Sequence, residues 1–353
     1  MLGALSTGFL ALLVTAFGLW GTLALHFSGP PIAVLRNGLA AGVLLATLLV
    51  LVALVLGQAR WRWPAMGAFA ALMAGVLVWF FGLQASNDRD WRPEVAVLPH
   101  ATIEGNFVTV HNIRNFDYRS ELDFTPAYYD KRFDLGRFEG VDIISVYWMG
   151  PHIAHVFLSF AFAGDEHLAV SIETRTEKGE GYSTLKGFFR QYELHYVVAD
   201  ERDVIRVRTN YRRDPPEDVY IYRAQGAPEA GRKLFLEYIR QMNELKERPA
   251  FYNTLTTNCT TNMWVNARIN AQHVPLSWKV LASGHVPEYL FEQGRLITDG
   301  LSLTELQRQA HVNARAQAAD QAADFSRRIR TALPTVAQGS MPPVGIKPEA
   351  ARP

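Results

Sequence analysis

The hydrophobic pattern divides the chain near residue 85. Residues 4–26 form an uncharged run, residues 38–57 are almost purely Gly, Ala, Val, Leu and Thr, and residues 64–83 form a third apolar run ending in Trp79, Phe80 and Phe81. Each is close to the ~20 residues that a helix needs to cross the hydrocarbon layer. The pattern predicts three transmembrane helices within residues 1–85. A cleaved signal peptide would account for the first run alone, but no basic segment precedes it and two further spans follow.

Beyond residue 86 the runs shorten. Residues 86–100, with Pro93 and Pro99, predict a linker, and residues 101–300 a globular domain. Strands are expected at 108–113, 141–148, 153–162 and 167–174. The last two are joined by a short turn, Ala163 to Glu166, which makes them a hairpin. A short helix is expected at 183–192, then strands at 194–199, 203–208 and 218–222. Residues 228–247 predict an amphipathic helix with Leu234, Tyr238, Met242 and Leu245 near one face. Residues 301–332 form a C-terminal helical segment, with 303–330 rich in Ala, Gln and Arg and expected at the surface. The Pro/Gly/Ala-rich tail, 333–353, is expected to be disordered. The fold class is therefore α+β, an antiparallel sheet packed with helices, preceded by three membrane helices.

Charge refines this picture. Arg36, Arg60 and Arg62 are the only Lys, Arg, Asp or Glu residues before residue 86. Trp61 and Trp63, beside Arg60 and Arg62, predict an interfacial anchor. The positive-inside rule places that short basic loop in the cytoplasm, with Arg36 voting weakly the other way. Three spans then put the globular domain outside. The formal net charge is +1 and no Arg/Lys stripe appears, so nucleic-acid binding is not expected. One cysteine excludes an intramolecular disulfide framework and a multi-cysteine zinc site. Outside the cytoplasm, an unpaired thiol points to reactivity.

That thiol, Cys259, lies in the stretch Tyr252-Asn253-Thr254-Leu255-Thr256-Thr257-Asn258-Cys259-Thr260-Thr261-Asn262-Met263-Trp264. Small polar residues precede it and a helix-forming segment follows. With Asn258 or Thr257 as cap, Cys259 falls in the first turn, where free N–H groups and the helix dipole lower a thiol pKa. A lone cysteine is also a common small core residue. As nucleophile it needs a base. His155 sits inside an apolar strand, where an imidazole is costly unless hydrogen-bonded. It is the first candidate, although a satisfied core histidine is an even alternative. The hairpin register places His155 opposite about Thr174, so Glu173 is the candidate third member; a salt bridge to Arg175 or Arg190 is its structural alternative. His111, Asn112, Arg114 and Tyr182 are weaker pocket candidates, and His195 and His285 are reserve bases. His152 and His155 are three apart on a strand and face opposite ways, which argues against a metal site. No phosphate loop is present. No cofactor and no metal are expected.

Four blocks carry a family resemblance: Asn115 to Arg119, Tyr147 to His155, Ser171 to Arg175, and Tyr252 to Trp264. Over roughly residues 100–300 the chain resembles the DUF4105 family, the Lnb N-terminal periplasmic domain, related to the permuted, papain-like NlpC/P60 superfamily in which histidine precedes cysteine. The resemblance implies a papain-like fold, with Cys259 as nucleophile, His155 as base and Glu173 as third member; Asn258 joins Tyr182, His111, Asn112 and Arg114 as an oxyanion or pocket candidate, and backbone N–H groups at the helix start are expected to hold the oxyanion. It implies a protein of the bacterial inner membrane, multi-pass, with its catalytic domain in the periplasm. The enzyme for which the family is named moves an acyl chain within a lipoprotein, from the glyceryl sn-2 position to the α-amine of the terminal cysteine, and has helices after its periplasmic domain as well. The expected activity is a cysteine-dependent acyltransferase acting through a thioester, with membrane lipid and a lipoprotein or other lipid-linked envelope substrate as partners. A thiol amidase, peptidase or lipid esterase, and a non-enzymatic binding protein on a relict papain-like fold, remain open as alternatives.

Overall fold

The computed structural model describes residues 2–56 and 59–334; most of the expected disordered tail lies outside the described residues. Three long helices come first: α1 (Leu2–Ser28), α2 (Ala33–Leu56) and α3 (Ala59–Gly82). All three are long and apolar enough to span a membrane. α1 runs past both expected bounds, and α2 and α3 begin about five residues before theirs, because helical hydrogen bonding continues through the polar residues there. Small residues bring them together. Gly18 faces Thr47 of α2, with no room for a Cβ, and Gly21 faces the flexible end of Met73 of α3. In lipid, association depends on such close backbone approach rather than on water exclusion.

The globular part is mixed α+β with a mostly antiparallel sheet. Its strands are β1 (His100–Glu104), β2 (Phe107–Arg114), β5 (Tyr128–Asp134), β6 (Phe138–Tyr147), β7 (Ala154–Phe162), β8 (Glu166–Arg175), β9 (Glu193–Ala199) and β10 (Asp218–Arg223). β3 (Asp117–Tyr118) and β4 (Phe124–Thr125) form a separate ribbon. The sheet order is β1-β2-β9-β8-β7-β6-β10, with β5 also pairing β2. The predicted hairpin is β7–β8, with Phe162 opposite Glu166 and Leu158 opposite Val170.

Alternation along the strands gives the sheet two apolar faces. One buries Phe160, Val170, Ile172 and Val198 against Phe235, Tyr238, Ile239 and Met242 of α5 (Pro228–Glu247). A fully buried side chain of this size stabilises the fold by roughly 1.5–3 kcal/mol. The other face buries Ile144, Phe157, Val197 and Ile221 against Val204 and Ile205 of α4 (Glu201–Arg206) and the chain's final segment. Four short helices complete the path before that segment ends: α6 (Cys259–Ala267), α7 (Trp278–Leu281), α8 (Val286–Glu292) and α9 (Leu303–Ala310). α10 (Asn313–Ala318) and α11 (Phe325–Arg328) supply Val312, Ala316, Phe325 and Ile329 from in and around them, all buried. This part of the segment expected at the surface is thus a layer of the core. Its small and apolar positions matter more than its arginine content.

Two local expectations are corrected. Residues 203–208 are not a strand but α4 and the π-turn that follows. Asp200 caps the helix by accepting from Arg202 N at 2.9 Å, and Asp203 turns inward to Arg114. Its alternating sequence imitated a strand, and tertiary contacts decided otherwise. Residues 183–192 hold only a 3₁₀ turn, Lys186–Phe188. Gly187 lies against Thr254 and Tyr252, and Arg190 adopts a left-handed φ of 52°, which ends any helix there.

The same bend seats the domain on the membrane helices. Arg190 Nη1 donates to the carbonyls of Phe80, Phe81 and Leu83 at 3.0, 3.2 and 3.1 Å, capping α3. The Ser28 hydroxyl at the end of α1 donates to the Phe189 carbonyl, and Phe27 and Phe189 rings meet at 5.4 Å.

Candidate active site

The polar stretch before Cys259 is a chain of local caps. Asn253 Oδ1 accepts from Leu255 N and Thr256 N, both at 3.0 Å. Thr257 Oγ1 accepts from Asn253 N at 2.6 Å. Asn258 is the N-cap of α6. Its Oδ1 accepts from Thr260 N and Thr261 N at 3.0 and 2.8 Å, while Thr261 Oγ1 accepts from Asn258 N at 3.0 Å. This reciprocal capping box fixes the helix start. Cys259 is the first helical residue. Thr260 Oγ1 donates to Val280 O at 2.6 Å and ties the turn to α7.

The thiol sits where β7 and β8 part. Their pairing stops at Leu158 and Val170, although β7 begins at Ala154 and β8 runs on to Arg175. In the gap, the backbone N–H groups of Val156 and Thr260 and the side chain of His155 lie close enough to the sulfur to favour the thiolate. Burial pushes the Cys259 thiol up, but these donors and the charge of His155 outweigh it and hold the thiol below its ordinary value.

His155 is itself held. Its Nε2 lies 2.6 Å from Ser171 Oγ and 3.4 Å from Glu173 Oε1. Ser171 Oγ donates to Glu173 Oε1 at 2.7 Å, so the hydroxyl oxygen is left to accept from Nε2–H. That fixes the tautomer and leaves Nδ1 for the thiol. Burial disfavours the imidazolium, but the hydrogen bonds and charges of Cys259 and Glu173 prevail, and the His155 pKa is pushed up to about 9. Burial pushes the Glu173 carboxyl up, yet His155 and Arg208 hold it well below the usual range. Arg208 Nη2 donates to Glu173 Oε1 at 3.0 Å. His155 and Glu173 keep a partly open edge, with side chains 17% and 25% exposed.

The other sequence candidates fall in different places. Asn258 shapes the helix start, and its Nδ2 is bound to Thr254 O at 2.7 Å, so its amide is committed at both ends. Tyr182 lines the approach: it is exposed and hydrogen-bonds Tyr252, whose hydroxyl pKa is raised by burial and by Tyr182 and Cys259 nearby. Tyr252 was not among the candidates; as the first residue of the cysteine stretch it carried no chemical mark of its own. His111 and Asn112 form a bulge of β2, bonded to Asp130, with β9 and β8 between that strand and β7. Asn112 there has a left-handed φ of 61°. Arg114 makes a buried bidentate pair with Asp203 at 2.8–3.2 Å and sits behind the site. His195 stands opposite Glu173 on β9, where burial and Arg175 depress its pKa to about 3 and keep it neutral. His285 contacts His152 Nδ1 at 2.9 Å and Glu288 at 2.9 Å, apart from the thiol relay. Ser171 and Arg208 were missed. Neither has a local signal, because their roles arise from strand pairing and from the turn after α4.

Residues 124–284 match the family model described as the Lnb N-terminal periplasmic domain. Over that stretch the globular domain is similar to this family. The matched stretch holds Cys259, His155, Ser171, Glu173 and Arg208, and it follows three helices fit to span a membrane. The chain is thus similar to a membrane-associated protein with a periplasmic domain of this kind. No curated protein and no solved structure matches the chain.

Proposed function

We propose that this protein is a cysteine-dependent acyltransferase, held by three passes in the bacterial inner membrane and acting on lipid-linked substrates at its periplasmic face. The observation that carries the reading is the Cys259–His155–Ser171–Glu173 relay at the start of α6. It has the histidine-before-cysteine order expected of a permuted papain-like site.

His155 Nδ1 takes the thiol proton. The thiolate attacks an acyl carbonyl, and the oxyanion forms at the N-terminal end of α6, where backbone dipoles converge. The C–O bond breaks, the leaving alkoxide takes the proton from His155, and a thioester remains on Cys259. An amine then attacks the thioester, His155 takes the proton that the nitrogen loses, the C–S bond breaks, and the thiolate returns beside the imidazolium. Glu173, through Ser171, holds the Nε2 proton in place and favours the imidazolium. A lipoprotein whose amino terminus bears both ester and amine supplies donor and acceptor together.

Mass spectrometry of lipoprotein amino termini tests this in cells carrying the wild type or Cys259→Ala. The wild type should shift an acyl chain onto the terminal amine and the variant should not. Identical acylation in both would sink the transfer reaction, while released fatty acid without N-acylation would assign a hydrolase to the same thiol.

A further inference from the structure

A second site lies where the domain meets the membrane helices. An apolar groove of about 860 Å3 runs between Phe17 and Trp20 of α1, Phe81 of α3, and Phe251 beside the turn that leads to Cys259. It lies within the size of typical ligand sites, roughly 300–1,000 Å3. It adjoins a polar basin of about 570 Å3, and Leu83, Gln84, Arg190 and Phe251 line both. The basin is walled by Arg36, Lys186, Arg89, Glu177 and Glu180.

The charges in the basin do not cancel. Arg89 is spent on Glu177 and Glu193 at 2.9 and 2.7 Å, and Arg190 on the carbonyls that end α3. Arg36 and Lys186 make no ion pair among the described residues, and the buried Nε of Arg36 has no hydrogen-bond partner. Arg36 is one turn into α2, at the end of the helices that faces the periplasmic domain. An arginine without an ion pair among the described residues, near the start of a candidate membrane span and beside an apolar groove, suits the level of lipid headgroups.

We propose that groove and basin together bind one glycerophospholipid of the periplasmic leaflet, its phosphate between Arg36 and Lys186 and one acyl chain along Phe17, Trp20 and Phe81. Charge complementarity selects the phosphate, and continuity with the membrane faces of α1 and α3 selects the chain. The same occupancy lays lipid against the 252–257 turn and so beside the thiol loop. Binding does not depend on the acyl-transfer reading.

The test uses the full chain in vesicles of phosphatidylethanolamine and phosphatidylglycerol doped with a phospholipid bearing a diazirine in its acyl chain. After irradiation, mass spectrometry should find label concentrated on Phe17, Trp20 and Phe251 over the lipid-facing Val52 and Val55. Arg36→Gln with Lys186→Gln should lower groove labelling by roughly thirtyfold, the scale of two basic groups beside a phosphate headgroup. A diacylglycerol probe with the same chain should label the groove weakly. Label spread evenly over all helix faces, labelling unchanged by the double variant, or equal labelling by diacylglycerol would overturn the proposal. Cys259→Ala should keep the label, which separates the lipid seat from the thiol chemistry: a wild type that takes up the label but transfers no acyl chain supports the seat alone.

Discussion

Two carboxylates of this domain are equipped with the same partners and do different work. Glu201 accepts from Ser159 Oγ at 2.6 Å and pairs with Arg330 at 2.5 and 2.7 Å. Glu173 accepts from Ser171 Oγ at 2.7 Å and from Arg208 at 3.0 Å. At Glu201 both oxygens are taken by Arg330, whose Nε reaches Asp142 at 2.7 Å, and the side chain is sealed from solvent. Burial pushes its pKa up, but Arg330 dominates and holds it at about 2. At Glu173 the arginine touches one oxygen only, a quarter of the side chain is open, and the serine hands the interaction on to a histidine that touches the sole thiol. A carboxylate, a serine and an arginine make a structural clasp when every bond closes internally. They make a proton relay when one bond is left to a titratable neighbour.

Substitutions can break this contrast at several strengths. Cys259→Ser should reduce acyl transfer by roughly 10³-fold or more while leaving thermal unfolding almost unmoved, since the relay behind it persists. Arg330→Met should act in the opposite way. It leaves Glu201 and Asp142 buried and unpaired, at about 3–5 kcal/mol of stability, read as a lower midpoint in thermal or urea unfolding. Glu173→Gln keeps the shape and removes the charge. Transfer should fall by roughly 10²-fold with a stability loss smaller than that of Arg330→Met. Its pH profile should also change. In the wild type, kcat/KM should rise as Cys259 ionises below the ordinary thiol range and fall near 9 as His155 loses its proton. Without the Glu173 charge the imidazolium is less favoured, so the falling limb should move to lower pH. Ser171→Ala removes one hydrogen bond of the relay, and activity should drop only about two- to tenfold.

What was legible in the sequence was what local signals encode. The three apolar runs are three helices, since length and lack of charge suffice. The turn at Ala163 to Glu166 set the β7–β8 register to within a residue. Continued past Leu158 and Val170, that register carries His155 to Glu173 rather than Thr174. The Asn258 cap follows from side-chain chemistry within three residues. Arg208 and Arg330 were not legible, because they reach their carboxylates across 35 and 129 residues. For the same reason 203–208 was misread: Asp203 faces inward only because Arg114, brought from β2, is waiting for it. His111, Asn112 and Arg114 drew notice as polar residues in or ending a strand, yet a bulge and a buried ion pair account for them.

The central claim is that His155 and its relay make Cys259 a thiolate at neutral pH. The alkylation rate of Cys259 by iodoacetamide, followed against pH in the full chain, tests it most directly. The wild type should show an inflection below the ordinary thiol value of about 8.5 and a plateau through neutral pH. In His155→Gln the inflection should move above that value, because burial then acts unopposed. An inflection at or above the ordinary value in the wild type, unchanged in His155→Gln, would contradict the account.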